Sequence, residues 1–74
     1  APADGAAAPP MPQPLTGREL EVLARIAAGD NNKLIARALD LSLHTVKRHV
    51  ANILGKLGVD SRGQAAAWYR SQVR

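Results

Sequence analysis

The sequence predicts an all-α domain of four helices containing a helix-turn-helix, preceded by a disordered N-terminal tail. Three observations carry this. Apolar residues recur at helical spacing in successive stretches, marking one buried face on each. Ser, Thr and Asn stand where those stretches begin, and Gly stands where two of them stop. No stretch alternates apolar and polar residues as a half-buried strand does, and no segment repeats.

Residues 1–14 hold all five prolines and five alanines, with Asp4 as the sole charge. Proline removes backbone donors and breaks helices, and nothing here can bury a core, so this stretch is expected to be a flexible Ala/Pro-rich linker. The rest, residues 15–74, is one small domain near the lower size limit for folding without staples, and modest stability is expected.

Bulk composition narrows the function classes. Ten Lys and Arg against six Asp and Glu leave a formal charge of +4, with a pI near 10.4. That favours a polyanionic partner. With no cysteine, disulfides, thiol chemistry and Cys-based zinc sites are excluded. No apolar run approaches the roughly 18 residues of a membrane span and no signal-peptide pattern appears, and the charge alone would also suit an anionic membrane surface. The chain opens on Ala rather than Met, as an excised piece of a longer protein would.

Helix 1 starts at Leu15-Thr16. Thr16 and Glu19 are spaced as a capping box, and Leu15 and Leu20 as a hydrophobic staple. Leu20, Leu23, Ile26 and Ala27 form the expected stripe, with Val22 at its edge, and Gly29 ends the helix. Asn31 is the expected N-cap of helix 2, which runs to about Leu39 and buries Leu34, Ile35, Ala38 and Leu39. Asp40-Leu41-Ser42 then make the short connection of a helix-turn-helix, with Asp40 able to take the left-handed conformation.

Helix 3, residues 43–57, has two unlike faces. Ser42 caps it and Gly58 closes it. Val46, Val50, Ile53, Leu54 and Leu57 line one side. The other carries His44, Arg48, Ala51, Asn52 and Gly55, with Lys47 at its edge and no acid. A helix that buries one face and offers a basic, low-profile second face suits the DNA major groove, which admits an α-helix. A merely solvated basic face is the competing account. Val59 is placed to pack back on the last turn, and Ser61 with Gln64 makes a second capping box opening helix 4, residues 62–72. Its stripe is Ala65, Trp68, Tyr69 and Gln72, flanked by Ala66 and Val73.

Four motifs in order then resemble one family. They are Leu15-Thr16-x-Arg18-Glu19-x-Glu21-Val22-Leu23, Gly29-x-x-Asn32-Lys33-x-Ile35-Ala36, Ser42-x-x-Thr45-Val46-Lys47-x-His49, and Ile53-x-x-Lys56-Leu57-Gly58-Val59 with Arg62-x-x-Ala65. Together they resemble the LuxR-type helix-turn-helix domain across residues 15–69. The resemblance implies a four-helix LuxR-like domain at the C-terminus of a bacterial transcription regulator, with helices 2 and 3 as the helix-turn-helix. It implies that helix 4 supplies the contact between two domains on adjacent half-sites, and that a receiver, ligand-binding or ATP-dependent module lies upstream. Leu34 stands where the family usually has Glu, Asn31 replaces the usual Ser cap, and Gly63 is unusual in the first turn of helix 4.

The expected partner is double-stranded DNA, bound as a homodimer on inverted half-sites by a chain that is monomeric when isolated. RNA polymerase is a further candidate partner, no membrane partner is expected, and the expected location is cytoplasmic, nucleoid-associated when bound. Lys47 matches a family position that contacts DNA, and Arg48 lies at the centre of the outward face, where a bidentate contact to guanine is the sharpest reading. Asn52 can bond a base edge or phosphate. His49 is either a phosphate ligand or a packed boundary residue. Thr45, Asn32 and Lys33 lie near helix N-termini, where phosphate is favoured. Lys56 and Arg62 are further phosphate candidates, Arg62 with Asp60 as an alternative partner. Ala65, Trp68, Tyr69 and Gln72 form the expected dimer seam, Trp68 being either core or seam.

Other classes fit less well. His44 and His49 lie about 140° apart around a helix, with no third ligand nearby, so no metal is expected. No nucleophile–base–acid set or phosphate loop appears, so neither an enzyme nor a cofactor is expected. A protein-interaction module using the same basic face, including a sigma-factor region 4-like domain, is the alternative function.

Overall fold

The computed structural model describes residues 14–72. Four helices follow in order: α1 Gly17–Ala27, α2 Asn32–Leu39, α3 Leu43–Leu57 and α4 Arg62–Gln72. No strand is present among the described residues. Most of the expected linker, residues 1–13, and the flanking Val73 lie outside them.

The first three helices begin as their capping residues dictate. Glu19 N–H donates to Thr16 Oγ1 at 3.1 Å and Thr16 N–H donates to Glu19 Oε1 at 2.9 Å, closing the capping box. Leu34 N–H donates to Asn31 Oδ1 at 2.9 Å. Thr45 N–H donates to Ser42 Oγ at 3.0 Å. Caps of this kind stabilise by about 1 kcal/mol each. Asp40 and Gly58 both end their helices in the left-handed region, at φ 56° and 69°. At Asp40 the conformation lets the next residue close the turn: Leu41 N–H reaches Ala36 O at 2.8 Å. The helix-turn-helix therefore bends where the chain spends its one positive-φ residue other than glycine among those described.

Helix 4 opens differently from expectation. Gln64 N–H donates to Ser61 Oγ at 3.2 Å, but the Gln64 side chain accepts from Asp60 N–H rather than from Ser61. The reciprocal bond thus closes one residue earlier. The helix continues through Gly63 without a break.

The core draws on all four helices. Val22, Leu23, Ile26, Ile35, Val46, Val50, Ile53, Leu57, Ala65 and Ala66 are buried together. Leu15, Leu39, Leu41, Val59, Trp68 and Tyr69 pack around them. α1 packs against α2, α3 and α4, and α3 packs against the other three.

Two expected stripes are rotated. On α1 the buried face is Glu19, Val22, Leu23 and Ile26, while Leu20 is 45% exposed. Because α1 is covered by both α3 and α4, Val22 turns fully inward. The inward position one turn earlier is filled by Glu19, whose charge is matched from α3. On α2 only Ile35 is buried, with Ala36 and Leu39 packed beside it. Leu34 and Ala38 face outward, Leu34 at 49% exposure. A short helix meeting its neighbours along one edge needs only one narrow row.

Candidate nucleic-acid interface

The outward face of α3 follows from its buried one. With Val46, Val50, Ile53 and Leu57 in the core, the geometry of 3.6 residues per turn leaves His44, Lys47, Arg48, Ala51, Asn52 and Gly55 exposed. Nothing acidic lies on that face. Among the described residues, Lys47 and Arg48 form no ion pair, and neither does Lys33.

Beside it lies an open recess of about 570 Å³, lined by Asp30, Asn32, Lys33, Leu43, Lys47 and Arg62 among others. Four of these residues open three helices: Asn32 and Lys33 open α2, Leu43 opens α3 and Arg62 opens α4. None of the three has an acid in its first turn. A helix N-terminus carries a positive partial charge and unpaired N–H groups. Three such ends and three cations therefore converge on one hollow, against one lining acid, Asp30, which lies 3.5 Å from Arg25. Multiply charged oxyanions suit such a hollow.

The remaining expected site residues divide. Thr45 is half-buried, its hydroxyl accepting from Ser42 Oγ at 2.8 Å, which leaves its own proton free to donate. His49 is half-buried beside the exposed face, and its Nδ1 is buried with no hydrogen-bond partner among the described residues. Lys56 turns away. Its Nζ donates to Glu19 Oε1 at 2.7 Å, tying the last turn of α3 to the first turn of α1. Glu19 is 3% exposed. Its carboxyl is held below the usual glutamate range, chiefly by the Lys56 bond and next by the Thr16 N–H, with burial opposing both.

Arg62 also bonds within the chain. Its Nη1 donates to Asn32 Oδ1 and its Nη2 to the Asp30 carbonyl at 3.0 Å, not to Asp60. Ala65, expected in a dimer seam, is fully buried in the chain's own core and presents nothing to a second copy. Trp68 and Tyr69 are half-buried against that core, and Gln72 is exposed.

The Glu19–Lys56 pair escaped the sequence reading because Glu19 already had a local role as a capping residue. Its partner lies 37 positions away. Arg70, whose Nη2 donates to Ala27 O at 2.7 Å, escaped for the same reason. The only available signal was that an acid fell among the apolar positions of α1.

Residues 13–69 match the family described as bacterial regulatory proteins, luxR family. The chain is 52% identical over 54 residues to the transcriptional regulatory protein LiaR of Bacillus subtilis, covering 73% of this chain and 26% of LiaR. It is 47% identical over 58 residues to the nitrate/nitrite response regulator protein NarL of Escherichia coli, covering 78% and 27%. It is 50% identical over 54 residues to the response regulator protein VraR of Staphylococcus aureus, covering 73% and 26%. The chain thus spans about a quarter of the length of these curated relatives. With the family match covering most of the chain and lying over all four helices, the chain belongs to the luxR family of bacterial regulatory proteins and is a helix-turn-helix domain of that family.

Proposed function

We propose that this chain is the DNA-reading end of a longer bacterial response regulator and binds double-stranded DNA sequence-specifically. α3 enters the major groove with Arg48 and Asn52 toward base edges. Lys33, Asn32 and Lys47 hold phosphates at the recess, Thr45 donates to another from the first turn of α3, and His49 supplies a further donor at the helix edge. Lys56 serves the fold through Glu19. Two copies bind as a two-fold pair on inverted half-sites about one helical turn apart. The observation that carries this reading is the convergence of three acid-free helix N-termini with Lys33, Lys47 and Arg62 beside the acid-free face of α3.

Fluorescence anisotropy against random duplexes at several salt concentrations, followed by selection of the tightest binders, tests it. The expected result is affinity that falls steeply with salt and a selected inverted repeat. Salt-sensitive binding without any preferred sequence would reduce α3 to a non-specific basic surface. Absence of binding would make an acidic protein partner the leading account.

A further inference from the structure

We propose that Arg62 is a positioning residue for Asn32, and that by holding the amide oxygen of Asn32 it presents the amide NH2 of that residue to a DNA phosphate. This rests on the DNA reading above and goes beyond it in giving Arg62 a role that acts through Asn32. The chemistry is directional. A guanidinium only donates hydrogen bonds, whereas a primary amide has an accepting end and a donating end. Arg62 Nη1 occupies Oδ1 of Asn32, so the amide is turned with its oxygen toward Arg62. What remains of that side chain for an outside ligand is its NH2 group, which suits a phosphate because phosphate only accepts. Without Arg62 the amide can present either end, and half of its orientations offer an oxygen to an anion.

The second bond fixes the first. Arg62 Nη2 donates to the Asp30 carbonyl, so one planar group grips the chain on both sides of Asn31, the N-cap of α2. The rigid fork of arginine spans two acceptors at once, and a lysine ammonium at the end of a flexible stem does not reproduce it. The anchor itself is firm. Arg62 is half-buried at the start of α4, and at the other end of that helix Arg70 bonds Ala27 O on α1. α4 therefore braces the α1–α2 turn from both ends, and the orientation of Asn32 is the part of that brace that reaches the recess.

The test measures affinity of the full chain for a fluorescein-labelled duplex chosen by the selection above, across a salt series. The variants are Arg62→Ala, Arg62→Lys, Asn32→Ala, the Asn32→Ala/Arg62→Ala double, and Lys33→Ala as a phosphate-contact control. Each Arg62 and Asn32 single variant is expected to weaken binding about tenfold, the scale of one lost charge-assisted hydrogen bond. The double is expected to be no weaker than the worse single, since both remove the same contact. The salt slope should fall by about 0.9 for Lys33→Ala and by well under half of that for Arg62→Ala. Arg62→Lys retains the charge and thermal melts followed by circular dichroism confirm its fold, so its loss of affinity reads positioning alone. The inference is overturned if Arg62→Lys binds like wild type while Arg62→Ala lowers the slope by a full contact, which makes Arg62 a direct phosphate ligand. Additive losses in the double overturn it as well. If wild type binds no duplex, the DNA reading fails first and this inference falls with it; the other two outcomes leave that reading standing.

Discussion

Arg48 and Lys47 are adjacent in sequence yet occupy different surroundings. Lys47 lines the recess where three helix N-termini meet, so its charge is spent where phosphate is expected. Arg48 is exposed on the open face of α3, one step away from those N-termini and without an acid to pair it among the described residues. A side chain there gains most from a flat, bidentate acceptor such as the guanine edge. Arg48→Ala is therefore expected to relax preference at one base position, costing about 1–3 kcal/mol against the preferred base and little against the others. Binding measured across all single-base variants of the selected site checks this. An equal loss for every variant would assign Arg48 to the backbone instead. The neighbouring small residues Ala51 and Gly55 leave the same face low, and beyond the adjoining residues and backbone of its own helix nothing lies within 4 Å of the position a Gly55 Cβ would take.

At the scale of elements, α1 and α3 are joined by a buried carboxylate and a lysine that reaches solvent at one side. The asymmetry is testable. Glu19 is nearly sealed, whereas the Lys56 side chain is 26% exposed. Lys56→Met leaves a buried charge without its main partner, the costly case, while Glu19→Gln frees a cation that can turn to water. At pH 7 Lys56→Met is expected to destabilise the domain by about 2–4 kcal/mol and Glu19→Gln by about 1–2 kcal/mol. The pH dependence follows from the lowered Glu19 value. A depressed carboxylate contributes stability that is present above its unfolded pKa, about 4.3, and is lost as pH falls through the lower folded value. In Lys56→Met, Glu19 takes up a proton more readily, so the gap between the two variants should close toward pH 4. Denaturant unfolding at pH 7 and pH 4 measures it, and a gap independent of pH would mean that the charge of Glu19 is not its source. The same bond shows where sequence reading stops. Helix bounds, three caps, the left-handed turn at Asp40 and the outward face of α3 were legible because each depends on residues within four positions of one another. The rotation of α1, the exposure of Leu34 and Ala38, and the partners of Lys56 and Arg62 were not, because each depends on which helix covers which. A charge at an apolar position, as at Glu19, is the visible trace of such a non-local partner.

For the whole molecule, the proposed two-fold pairing on DNA has to come from a domain with little surface to offer. α4 spends its smallest residues on its own core: Ala65 and Ala66 are buried, and Trp68 and Tyr69 lean on the same cluster. What remains outward along the helix is Gly63, Gln64, Ala67, Arg70, Ser71 and Gln72, a largely polar strip. A stable interface needs about 800 Å² from each partner with an apolar centre. This strip lacks the centre, so the isolated chain is expected to sediment as a monomer at micromolar concentration. On DNA the requirement changes. Two copies held on one duplex meet at a high effective concentration, and a weak contact then suffices for cooperativity. Ala67 is the residue to change, since it is exposed on α4 and absent from the core. Ala67→Glu is expected to leave affinity for a single half-site unchanged and to reduce the cooperativity of binding to the inverted repeat about tenfold. Titrations of duplexes carrying one and two half-sites separate the two effects. Unchanged cooperativity would move the pairing surface off α4, and an equal loss on one half-site would mean that this face of the helix meets DNA directly.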